Sequence, residues 1–145
     1  MKQFILLVGN IGTGKTYYSE KFFPKNYRIV RPDEFHGDLE QKQNRMFREI
    51  KENLENNETT VLDGLNLERK QRQRLLYFTK NYENCKKTIY DFGPGNEKTL
   101  QRVIITRPEL SEKEWRAIHD ENVKIYEKPH INEGYDEVID KSNFA

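Results

Sequence analysis

The order of apolar and helix-compatible segments predicts a three-layer α/β fold, a parallel sheet of five strands with helices on both faces. Three observations lead there. Short apolar or β-branched runs alternate with helical stretches along the whole chain. A glycine-rich loop, Gly9-Asn10-Ile11-Gly12-Thr13-Gly14-Lys15-Thr16, joins the first strand to the first helix. The 145 residues contain no repeat, low-complexity linker or composition break, so a single domain, 1–145, is expected.

The elements follow in order. Phe4-Ile5-Leu6-Leu7-Val8 makes the first strand, over 3–8, and the helix after the loop spans 14–23, ended by Pro24. A strand over 27–30 stops at Pro32, which favours extended backbone at Arg31. The helix over 39–54 places Leu39, Met46, Ile50 and Leu54 on one face. A β-branched strand over 59–62 runs into Asp63, and a helix over 68–82 follows. The strand over 87–92 breaks at Gly93-Pro94-Gly95, and the next helix, 97–105, ends at Arg107-Pro108. Ser111-x-x-Glu114 is a capping box for the last helix, whose stripe reads Trp115, Ile118, Asn122, Ile125 before Pro129 closes it. A final strand occupies 135–139, and the tail 141–145 is expected to fray.

Composition narrows the function classes. Hydrophobic residues make up 34% of the chain and charged residues another 34%, which calls for helices with narrow apolar stripes. A net charge of +1 supplies no global basic field, so any nucleic-acid contact must come from a local patch. The single cysteine, Cys85, excludes an internal disulfide or a cysteine metal cluster and fits a reducing cytoplasm. His36, His119 and His130 are scattered without metal-ligand spacing. No apolar run approaches the ~18 residues of a membrane span, and the N-terminus does not read as a secretion signal, so a cytoplasmic location is expected.

The loop carries the chemistry. Gly-x-x-x-x-Gly-Lys-Thr between a strand and a helix is a phosphate-binding P-loop, and its expected ligand is ATP with Mg²⁺. Residues 9–16 curl their amides toward the phosphates, Lys15 reaches the β- and γ-phosphates, and Thr16 ligates the metal. In open α/β sheets ligands bind at the carboxyl ends of the strands, so the residues after each strand are the candidates. Asp33 follows the second strand and reads either as a helix cap or as the base that takes a hydroxyl proton. Asp63 follows the third and reads either as a turn residue or as a holder of the metal's water shell. Asn66 reads as a helix cap or a substrate contact. Arg69, Lys70, Arg72 and Arg74 lie on more than one face of the third helix, as a solvated surface or a polyanion-docking patch. Arg102 and Arg107 lie in a segment of about 94–110 bounded by glycine and proline, the expected lid over ATP. There is no Asn-Lys-x-Asp guanine motif, and the chain is too short for the extra helical domain of a ring-forming ATPase.

Together the P-loop, Arg31-Pro32-Asp33-Glu34-Phe35, Val61-Leu62-Asp63-Gly64-Leu65-Asn66-Leu67 with Arg72, the arginines 102 and 107, Tyr126-Glu127-Lys128-Pro129 and Glu133-Gly134-Tyr135-Asp136-Glu137-Val138 carry a resemblance. The chain resembles the polynucleotide kinase family of small P-loop kinases, nearly end to end. The resemblance implies a nucleoside-monophosphate-kinase-like P-loop fold with a small helical lid. It also implies an ATP-dependent kinase acting on a hydroxyl, first of all the 5′-OH end of DNA or RNA; the alternatives are a nucleoside, nucleotide or other small-molecule kinase of the same fold and a non-kinase ATP-binding regulatory module. It assigns Asp33 as general base, Lys15 and Thr16 to ATP and metal, and Arg107 with Arg102 to the ATP phosphates. His36, Asp63, Asn66 and Arg72 fall on the acceptor side. The family's phage member carries an arginine three residues after its base, where this chain has His36. The chain stops where that member's phosphatase domain would begin, so kinase activity alone is expected.

Overall fold

The computed structural model describes residues 1–144; Ala145 lies outside the described residues. The elements are β1 (Lys2–Val8), α1 (Lys15–Phe22), β2 (Arg28–Val30), α2 (Leu39–Glu55), β3 (Thr60–Leu62), α3 (Arg69–Thr79), β4 (Cys85–Asp91), α4 (Glu97–Thr106), α5 (Glu112–Ile125) and β5 (Glu137–Asp140). Two single-turn 3-10 helices, Pro32–Glu34 and Ile131–Glu133, complete the described secondary structure. All five strands are parallel, in the order β2-β3-β1-β4-β5. The chain fills the β3 side of β1 before crossing to β4, so the switch of direction lies at the carboxyl end of β1, where the glycine loop begins.

β1 is buried on both faces, as the centre of a parallel sheet must be. Phe4, Leu6 and Val8 point to one face and pack with Ile50 and Leu54 of α2, Leu75 of α3 and Tyr135. Ile5 and Leu7 point to the other and pack with Val61, Phe92, Tyr18 of α1 and Phe144. A third cluster joins α4 to α5 through Leu100, Val103 and Trp115, with Ile11 of the glycine loop packed against it.

Several sequence expectations change in the packed chain. Leu39 is 73% exposed in the first turn of α2, which turns its apolar face to the core only from Met46 onward. On α5 the buried stripe is Trp115, His119 and Asn122, while Ile118 and Ile125 are partly exposed, because the helix docks on polar loop atoms as well as on apolar ones. β4 starts at Cys85 because it pairs with β1 from Lys2 onward. Residues 141–144 do not fray: Lys141 N–H donates to Asp91 O at 2.7 Å, and the Phe144 ring lies 5.2 Å from Tyr18 and 6.1 Å from Phe92. No helix among the described residues is long and apolar enough to cross a membrane.

Candidate active site

The start of the glycine loop is stitched to its scaffold. Gly9 N–H donates to Leu65 O at 3.0 Å and Asn10 N–H to Gly93 O at 3.1 Å, tying it to the segments after β3 and β4. Asn10 is fully buried, and its side chain is committed on both sides. Nδ2 donates to Pro94 O (2.9 Å) and His119 O (3.1 Å), while Oδ1 accepts from Ile11 N–H (2.7 Å) and Asn122 Nδ2 (2.9 Å). Of the three residues expected at the nucleotide, all have paired backbone amides, and only Ile11 lies on the wall of the cavity described below.

Past that point the donors are free. Among the described residues the N–H groups from Gly12 to Tyr17 have no acceptor, and Tyr18 makes the first helical bond, to Gly14 O. These amides, at the positive end of α1, form an anion cradle. Gly12 has φ +75°, and a Cβ there would collide with Thr99 O, so only glycine lets α4 lie on the loop.

Lys15 Nζ donates to Gly9 O (2.6 Å) and Asn10 O (3.0 Å). Burial pushes its pKa down to about 8, against the opposing pull of Asp63 and Asp33. Thr16 Oγ1 donates to Asp63 Oδ2 at 2.8 Å, joining the loop to the end of β3. Asp63 is 6% exposed, and its charge is answered by Arg31, whose Nε reaches the same oxygen at 3.1 Å. Arg31 Nη2 also donates to Ser19 Oγ at 3.2 Å and lies 3.4 Å from Glu20. Sequence reasoning gave Arg31 no role, although its place at the carboxyl end of β2 was the available signal.

Asp33 is exposed on the 3-10 turn after β2, and its carboxylate makes no hydrogen bond among the described residues. It faces the same cavity as Lys15, Thr16, Asp63, Arg102 and Arg107, a space of about 330 Å³. Arg102 Nη1 lies 3.4 Å from Gly12 O, while the Arg107 guanidinium stacks over Trp115 at 4.7 Å. An adjoining cavity of about 570 Å³ is lined by Gly14, Tyr17, Lys98, Arg102 and Phe144. The expected lid is held at its start by the bond from Asn10 to Pro94 O and by the close approach of Gly12 to Thr99, while residues 105–109 are exposed.

Two acceptor-side expectations change. Arg72 is fully buried, and all its N–H groups are engaged. It pairs with Glu133 (2.9 and 3.0 Å) and donates to Asn66 O (3.1 Å), Leu67 O (2.9 Å) and Glu127 O (2.9 Å), leaving nothing for a substrate. Asn66, at φ +50°, donates its amide to Leu7 O at 2.9 Å and is absent from the cavity wall, so it braces the turn after β3. His36 is exposed on the segment leading to α2 and also lies outside the wall.

Thr16 and Asp63 fit a hard divalent cation, since both offer oxygen beside the free amides. No cluster of three or more His, Cys, Asp or Glu suited to a metal exists among the described residues, so phosphate and water would complete the coordination.

No family model and no curated protein matches the chain by sequence. Solved structures do match. A fungal RNA kinase is 17% identical with a TM-score of 0.72, covering 96% of this chain and 73% of its own. Kti12 of Chaetomium thermophilum, in complex with ADP-AlF3, is 14% identical with a TM-score of 0.70, covering 94% and 87%. A gluconokinase of Sinorhizobium meliloti 1021 is 16% identical with a TM-score of 0.58, covering 94% and 79%. At such identities the likeness is one of architecture, and the architecture of this chain is a P-loop NTPase-like α/β fold.

Proposed function

We propose that this protein is an ATP-dependent phosphotransferase that moves the γ-phosphate to a hydroxyl, the acceptor being the 5′-OH end of a polynucleotide. The carrying observation is that Lys15, Thr16, Asp63 and the open carboxylate of Asp33 face one cavity beside free backbone donors. The free amides and Lys15 bind the phosphates, and the charge that builds on the transferring group falls on fixed donors. Asp33 orients the acceptor and takes its proton, and its lack of other hydrogen bonds suits that role. Magnesium, held by Thr16 and Asp63, would neutralise phosphate charge. The flat surface of Tyr17 and Phe144 beside Gly14 suits a nucleotide base. Arg102 and Arg107, both on the wall of the cavity, close over the phosphates.

The shared fold with an RNA kinase supports a polynucleotide acceptor, and the shared fold with a gluconokinase keeps a small hydroxyl substrate as the second reading. The second reading draws on His36, which stands outside the cavity wall where a phosphate-gripping arginine would be expected. The test is labelled ATP with a 5′-hydroxyl oligonucleotide beside the same oligonucleotide carrying a 5′-phosphate. Label on the first alone is expected. ATP hydrolysis indifferent to every hydroxyl acceptor would overturn the reading.

A further inference from the structure

Away from the catalytic cavity, α2 and α3 enclose a groove of about 410 Å³ lined by Phe47, Arg74, Tyr77, Phe78, Lys80 and Asn81. Its make-up is unlike that of an ordinary solvated helix pair. The Phe47 and Phe78 rings meet at 4.7 Å, and Tyr77 is 70% exposed although it is a large aromatic. Both cations of the groove lie on aromatic faces, Arg74 over Phe47 at 5.0 Å and Lys80 over Tyr77 at 3.9 Å. Neither has a carboxylate partner among the described residues, and no acidic side chain lines the groove. Aromatic faces that accept stacked planar groups, flanked by unpaired cations, are the two components of a single-strand nucleic-acid surface. The cations draw the phosphates and the rings hold the bases, so an acidic peptide would use only half of what the groove offers.

The position suits a strand that continues beyond the cavity. α3 begins just after the Asp63 turn and carries Tyr77 in its last turn, so the groove lies roughly 12 Å further along the helix. On α2, Arg45 stacks over Phe35 at 4.0 Å, two residues from Asp33.

We propose that this groove binds the body of a single-stranded polynucleotide whose 5′ end occupies the catalytic cavity. This rests on the polynucleotide reading above, but binding tests it without catalysis. A fluorescent single-stranded RNA about 20 nucleotides long, already 5′-phosphorylated, is titrated against the protein by anisotropy over a range of salt. The variants are Tyr77→Ala and the pair Arg74→Gln with Lys80→Gln, all at exposed positions, with thermal unfolding and ATP affinity checked as unchanged. Tyr77→Ala is expected to weaken RNA binding about tenfold. The double cation variant should also flatten the salt dependence, its log–log slope falling by about 0.7 for each phosphate that is no longer neutralised. Poly-glutamate of matched charge should bind weakly and be insensitive to Tyr77→Ala. Equal RNA affinity in wild type and both variants, or preference for poly-glutamate, would overturn the proposal. Loss of RNA binding in the variants alongside an absence of phosphate transfer would uphold the groove and sink the catalytic reading alone.

Discussion

Replacing Lys15 with methionine should make the free protein more stable at neutral pH while removing its nucleotide affinity. The magnitude follows from the ionisation of the ammonium. Burial lowers the Lys15 pKa from 10.5 to about 8. The folded chain thus holds the proton less tightly than the unfolded one, and stability from this group rises with pH between those values. Below pH 8 the penalty is fully present, on the order of 3 kcal/mol; by pH 10 it has fallen to about 1 kcal/mol. Methionine keeps much of the stem and carries no charge. It forfeits the bonds to Gly9 O and Asn10 O, worth about 1 kcal/mol each, an offset that changes little with pH. Urea unfolding of wild type and Lys15→Met at pH 7 and pH 10 should therefore show a relative stability that shifts by about 2 kcal/mol between the two conditions, favouring the variant at pH 7. The same variant should bind no ATP in calorimetry. An identical stability difference at both pH values would refute the claim that this lysine is held against its charge.

Asp33→Asn should leave ATP affinity nearly intact and cut turnover about 10²–10⁴-fold, read by single-turnover transfer against nucleotide titration. Arg72→Met should strand the buried Glu133 and lower stability by about 3–5 kcal/mol, with Arg72→Met/Glu133→Gln recovering part of it in denaturant unfolding. Burial works to raise the Glu133 pKa, but hydrogen bonds from Arg72 and the His130 N–H outweigh it and hold it below its ordinary value of 4.5. Its contribution is accordingly present above that pH and lost as pH falls through the lowered pKa, and the wild-type to Arg72→Met gap should narrow in acid. Gly12→Ala should lower Tm and abolish nucleotide binding together, because the new Cβ meets Thr99 O and the backbone is left-handed. Phe144→Ala should destabilise the protein by about 1–3 kcal/mol in thermal unfolding; no change would mean the tail contributes nothing to the aromatic cluster.

The parallel sheet was legible because β1 is apolar on both faces and the glycine motif has a fixed strand-loop-helix context. Asp33 and Asp63 were legible for a similar reason: the rule that ligands sit after strands needs only local strand ends. Arg72 misled because its partner, Glu133, stands 61 residues away, and nothing local distinguishes a buried guanidinium from a substrate-gripping one. Asn10 was hidden inside the motif, where the pattern allows any residue, and its partners in the turn after β4 and on α5 become neighbours only through tertiary packing. Tyr77 and Phe47 line one groove from two helices, so no spacing within either one announced it. The C-terminal tail was read from position alone, which says nothing about whether a phenylalanine finds a socket.

Asn10 gives the molecule a property of its own. Because one amide side chain is shared by the glycine loop, the Gly93-Pro94 turn and two turns of α5, the anion cradle has a fixed shape before any ligand arrives. The entropy of ordering that loop is spent during folding, not at each binding event. The distant face of α5 thereby becomes a handle on the cradle: a ligand, or a temperature, that loosens the docking of this helix would lower phosphate affinity while the sheet stays intact.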